Sequence, residues 1–241
     1  MPPNPQKLAK WEREIDRIRW QVVRLLDRRR WNEIYERVVN AHPKLHPGIP
    51  ILDHFRNVYG DYAVVAVRRL AKPGRDSVSL TDIIRDLGGE AENLDRAWYR
   101  SLYKRPLSNG TVYSDSMAFR LADSTFKKFT DGGADHASRV LIDRDLNELV
   151  SGTRHLIHIS DRAIAHDDCR GVGAEFGPFT FNEIDGAVRL VERLTGRYLL
   201  LLTGERAPSM TPIDTTDALR VFRFPWLDDE HPPELPPSLN L

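Results

Sequence analysis

Cysteine is almost missing from this chain. Its single thiol, Cys169, has no partner within the sequence, which rules out an internal disulfide and a thiolate-rich structural zinc site. Net charge is missing too. Thirty-five Lys and Arg balance thirty-five Asp and Glu, so no global basic field advertises nucleic acid, and only a local patch could bind it. Long apolar runs are absent. Runs such as Tyr198-Leu-Leu-Leu-Leu202 and Tyr62-Ala-Val-Val-Ala-Val67 fall far short of the roughly 20 residues that span a bilayer. The first residues, Met1-Pro-Pro-Asn-Pro-Gln-Lys7, hold no apolar signal core. These absences predict a cytoplasmic protein with no membrane partner. Strand-like alternation never lasts more than a few residues, and no internal repeat is visible. What remains is an apolar fraction of 41% and a charged fraction of 29%, enough for a packed core and unlike a disordered chain.

The apolar residues recur at helical spacing. Leu8, Trp11, Ile15, Ile18, Val22, Leu25 and Leu26, then Trp31, Ile34, Tyr35, Val38 and Val39, predict one long helix over about 6–40 or two with a bend near Arg28-Arg29-Arg30. His42-Pro43 and His46-Pro47-Gly48 end it. Further helices are expected over Leu52–Leu70, after a hydroxyl cap at Ser79, around Ala97–Tyr103, from about Ser114 to Lys128, and from a cap at Asp143 to about His166. Thr180-Phe-Asn-Glu183 is a capping box that opens a helix stopped by Gly204. The reading is an all-α bundle with long connections. A helical domain occupies 1–205, and 206–241 is a short helix or extended segment with an acidic, Pro-rich tail.

The most informative stretch is the end of the Asp143–His166 segment. On an ideal helix at about 100° per residue, Arg154, His155, His158, Asp161, Arg162 and His166 fall within one arc of roughly 140°. Arginine offers phosphoryl oxygens a planar fork of donors, and histidine exchanges a proton near neutral pH. An RNA 2′-hydroxyl could attack its own phosphate if a His took the proton and an Arg held the developing charge. Such a stripe is more often a solvated face, with a His at the helix end favoured by the dipole and Asp161 and Arg162 in surface ion pairs. The residues alone leave both open.

The stretch Leu156-Ile-His-Ile-Ser-Asp-Arg162-Ala-Ile-Ala-His166 resembles the HEPN superfamily, in particular its AbiU-type abortive-infection branch. Tyr62-Ala-Val-Val-Ala-Val-Arg-Arg-Leu70 and Ser79-Leu-Thr-Asp-Ile-Ile-Arg-Asp-Leu87 are similar to that branch's central helix and the short helix after it. The resemblance spans about 6–204. It implies a HEPN-like helical bundle, a homodimer, and metal-independent RNA cleavage without a cofactor. It implies a place in a toxin–antitoxin or anti-phage system, with an antitoxin partner. By the match, His166 is the catalytic histidine and Arg162 the phosphate-binding arginine. Arg154, His158 and Asp161 would support them or contact RNA. The spacer Ala163-Ile164-Ala165 is shorter than the family's usual one, and a four-residue spacer would put Asp161, a carboxylate, in the arginine's place. That feature favours a second reading, a noncatalytic HEPN-like dimer that binds RNA, a nucleotide or a protein.

Lesser candidates follow. His155, His158 and Asp161 have ligand-like spacing but lack a further ligand and supporting shell. Gly171-Val-Gly-Ala-Glu-Phe-Gly177 resembles a phosphate loop loosely, without a preceding strand, and reads better as a turn. Arg28-Arg29-Arg30, with Arg24 and Trp31, is a basic patch beside an aromatic. It could touch RNA backbone and stack a base, or be a solvated helix end. Cys169 follows Asp167-Asp168, acids that disfavour a thiolate, and Ser160 near His158 implies no triad.

Overall fold

Between Gln6 and Ala41 the chain has neither glycine nor proline, and its charged positions are mostly good helix formers. In the computed structural model, which describes residues 3–41, 50–74, 77–105, 110, 114–161 and 179–205, this stretch is one helix, α1 (Pro5–Ala41). It runs through Arg28-Arg29-Arg30 as a single element. Then come α2 (Pro50–Ala71), α3 (Leu80–Gly89), α4 (Arg96–Leu102), α5 (Asp115–Phe126), α6 (Arg139–Ile159) and α7 (Phe181–Thr203), with short 3-10 turns at Ala91–Asn93 and Lys127–Phe129. Among the described residues there is no strand, only an isolated bridge between Asp95 and His136. The chain is all-α. The segment 206–241 lies outside the described residues.

Local chemistry sets the helix ends. Pro50 opens α2, where its missing N–H costs nothing. The Ser79 hydroxyl accepts from the Asp82 amide at 3.1 Å, and the Asp95 carboxylate from the Trp98 amide at 2.6 Å. The capping box at α7 is complete. The Glu183 amide donates to Thr180 Oγ1 at 3.2 Å, and the Thr180 amide donates back to Glu183 Oε2 at 2.7 Å. Gly204 ends α7 with φ +72°, and a Cβ there would sit 3.0 Å from the Tyr103 ring. One expectation is corrected. Ser138, not Asp143, caps α6: its hydroxyl accepts from the Leu141 amide at 3.3 Å, while its own amide is held by the Phe129 carbonyl at 2.7 Å. Asp143 sits inside the helix and pairs with Arg139 at 3.5 Å.

One apolar cluster draws on all seven helices. Trp11, Ile15, Ile18, Val22 and Leu25 of α1 pack against Val188, Val191, Leu194 and Leu201 of α7. Val64 and Val67 of α2, Ile83 and Ile84 of α3, and Leu149 and Leu156 of α6 complete the centre. Tyr99 of α4 meets Phe126 of α5 with ring centroids 5.1 Å apart. Ion pairs clasp neighbours outside the core. Arg56 of α2 grips Glu36 of α1 through two bonds of 2.6 and 2.7 Å, and Arg100 of α4 grips Asp123 of α5 at 2.7 and 2.6 Å.

A carboxylate lies inside this bundle. Asp145 of α6 is 1% exposed. Arg197 of α7 pairs with it at 2.8 Å, and the Tyr198 hydroxyl donates to it at 3.1 Å. Arg197 also donates to the Lys128 carbonyl at 2.9 Å and lies over the Phe129 ring. Burial, and after it the neighbouring Asp145 charge, pushes the Tyr198 hydroxyl far above its ordinary range. Removing one partner strands the other charge in an apolar surround. Arg197→Met is expected to cost about 3 kcal/mol, read as a lower denaturant midpoint. Asp145→Asn with Arg197→Met together should cost less than Arg197→Met alone.

Candidate functional site

α6 carries the residues singled out by the sequence, and its register decides where they point. Leu149, Thr153, Leu156 and Ile159 are buried, together with Asp145. Val150 is 42% exposed. Arg154 is exposed, while His155, His158 and Asp161 are half-buried. After Ile159 the helix widens, and Ser160 and Asp161 have π geometry, a widening found often at functional sites. Arg162, His166, Cys169 and the glycine loop 171–177 lie outside the described residues.

Asp161 is the best-held of the candidates. Its Oδ1 accepts from Arg68 Nε at 2.5 Å, and its Oδ2 accepts from Lys72 Nζ at 2.5 Å. The two cations stand at i and i+4, from the last turn of α2 to the residue just past its end, so they share one side. α2 is positioned by Val64, Val67 and Leu70 in the core, and Ala71 is pinned when its carbonyl accepts from Thr81 Oγ1 at 2.5 Å. Burial raises the Asp161 carboxyl, but the hydrogen bonds from Lys72 and Arg68, and their charges, outweigh it. The group is held below the usual carboxylate range.

His155 turns the other way. Its Nδ1 lies 2.8 Å from Glu183 Oε1 on α7. The Thr180 amide, and after it His155, hold Glu183 below the usual carboxylate range against the effect of burial. The trio His155, His158 and Asp161 is therefore divided between α7 and α2, and no group of three or more metal-ligating side chains occurs among the described residues. A groove of about 640 Å³ runs between α6 and α7, lined by Gly152, His155, Glu183, Gly186, Arg189 and Arg193 among others. Arg154, His158 and Asp161 do not line it.

The end of α6 thus brings Asp161 together with Arg68 and Lys72 at the end of α2, with Arg154 and His158 earlier on the same helix. Arg68 and Lys72 were missed from the sequence as partners of Asp161, although cations at i and i+4 near a helix end are a visible signal. Compared with known proteins, the chain matches no family model, no curated protein and no solved structure. No helix among the described residues is long and apolar enough to cross a membrane.

A pH test follows from Asp161. Its pKa is lower in the folded chain than in the unfolded one, so it contributes stability above about pH 4 and loses it as pH falls through the folded value. Both cations are partly exposed, so the effect is modest. Asp161→Asn is expected to lower the thermal midpoint at pH 7. The gap from wild type should shrink toward zero below about pH 4.

Proposed function

We propose that the chain is a HEPN-like, metal-independent ribonuclease of the abortive-infection type. It works in the cytoplasm as a homodimer within an anti-phage or toxin–antitoxin system and is restrained by an antitoxin partner. His166 takes the proton of an RNA 2′-hydroxyl. The 2′-oxygen then bonds to the adjacent phosphorus, and the bond from phosphorus to the 5′-oxygen breaks. That oxygen takes a proton from water. The products are a 2′,3′-cyclic phosphate and a 5′-hydroxyl end. Arg162 binds the phosphoryl oxygens as charge builds on them.

The observation that carries this reading is the charge at the end of α6. A lone carboxylate at Asp161, directly before Arg162, would repel phosphate. Here Arg68 and Lys72 both bind it, leaving the trio net positive. Arg154 adds a further exposed cation on the same helix face, and His158 a further imidazole.

A second reading, a noncatalytic HEPN-like dimer that binds RNA, a nucleotide or a protein, is favoured by the three-residue spacer between Arg162 and His166. One assay separates the two. Wild type, Arg162→Ala and His166→Ala are incubated with RNA in excess chelator, and the product ends are identified. The nuclease reading expects cyclic-phosphate ends from wild type. It expects a loss of at least about 100-fold in His166→Ala, with an unchanged thermal midpoint. Cleavage that persists undiminished in pure His166→Ala overturns it. A folded dimer without turnover supports the second reading.

A further inference from the structure

The outward face of α1 takes no part in the site above. Its buried residues, Trp11, Ile15, Ile18, Val22 and Leu25, face α7 and the core. On the opposite side stand Arg13, Arg17, Trp20, Arg24, Arg28 and Trp31, all exposed. At about 100° per residue these six fall within an arc of roughly 80°, and they cover about 27 Å of helix. Trp20 is 54% exposed and Trp31 40%.

Much of the other charge on α1 is paired. Lys7 pairs with Glu90, Lys10 with Asp86 at 3.4 Å, and Arg19 with Asp16 at 2.7 Å while lying over the Trp20 ring. Arg29, in the middle of the arginine run, turns inward to Asp185 of α7 at 2.9 Å and to Glu33 at 3.1 Å. Among the described residues, Arg13, Arg17, Arg24 and Arg28 form no ion pair. Glu14, whose charge Arg13 and Arg17 feel, pairs with Lys10 at 4.0 Å. Asp27 borders the stripe but is off its centre. Among the described residues these four arginines have no carboxylate partner, and two exposed indoles are interleaved with them.

We propose that this face binds single-stranded nucleic acid. Its arginines take phosphates and its tryptophans stack on unpaired bases. Charge complementarity selects an anionic ligand. All four cations are arginine, whose planar fork matches two phosphoryl oxygens at once. The indoles stand 11 positions apart, or about 16 Å along the helix, as separate platforms rather than the broad apolar strip that buries into a lipid surface. At about 3.4 Å per stacked nucleotide the stripe accommodates roughly eight nucleotides. That RNA is the natural strand rests on the function proposed above, but the binding surface uses neither Arg162 nor His166.

The test uses the full chain carrying His166→Ala, so that cleavage does not confound binding, and a fluorescein-labelled oligouridylate read by anisotropy. With four phosphates engaged, log affinity against log salt should fall with a slope of about −3. Arg17→Ala with Arg24→Ala should reduce that slope by about 1.4 and weaken binding at every salt concentration. Trp20→Ala should weaken binding about tenfold and leave the slope alone. All sites are exposed, and circular dichroism confirms that each variant folds. Binding that ignores these substitutions overturns the proposal. So does equal affinity for duplex of the same sequence, or binding only to phosphatidylserine vesicles. Oligouridylate bound with the expected slope, by a chain whose wild type cleaves nothing, supports the surface and removes the nuclease reading.

Discussion

Burial of α7 between α1, α2 and α6 is the constraint on which the rest of the molecule depends. Ten of its side chains are buried, and they meet the inner faces of three other helices. Those buried residues occupy roughly 160° of the helix circumference, and Asp185, Arg189, Glu192 and Arg193 take the other side. Once α7 is central, α6 and α2 lie beside it, and the last turn of α2 reaches the end of α6. The Asp145–Arg197 pair serves the same assembly. A buried charge tolerates few alternatives to its partner, so it fixes how α6 and α7 slide past each other.

Electrostatics at the end of α6 follows from that placement. A carboxylate beside a candidate phosphate site is unfavourable in isolation. Between Arg68 and Lys72 it becomes the anchor for two cations, and each long side chain loses freedom it would otherwise keep. Asp161, Arg68 and Lys72 together carry one net positive charge although the whole chain is neutral. α1 repeats this local sorting: carboxylates on neighbouring helices engage Lys7, Lys10 and Arg29, while the solvent side keeps its arginines. Zero net charge therefore says little about the field near any one face.

Legibility from sequence followed the range of the interaction concerned. The spacing of Trp11, Ile15, Ile18 and Val22 announced α1 and its buried face, and the Thr180–Glu183 pair announced the start of α7. Ser79 and Gly204 were legible as caps because capping involves residues a few positions apart. The start of α6 was misjudged. Asp143 is a reasonable cap by composition, but the Phe129 carbonyl holds the Ser138 amide and starts the helix one turn earlier. The basic run Arg28-Arg29-Arg30 was legible as a patch, yet Arg29 belongs to the interior clasp, and Arg13, Arg17 and Trp20 extend the exposed stripe. The Arg162 and His166 pair was read from a motif and lies outside the described residues.

Periodicity, capping residues and the scarcity of cysteine determined, without any coordinates, that this is an all-α chain with no internal disulfide. They also marked the polar face of α6 as its most informative part. Only tertiary structure decided which carboxylate meets which cation. Asp161 and Lys72 are 89 positions apart, and no local pattern encodes a distance of that kind. The reason is physical: helix formation and capping are settled within a few residues, whereas the charge of a site is settled by whichever helices the burial of apolar faces brings together.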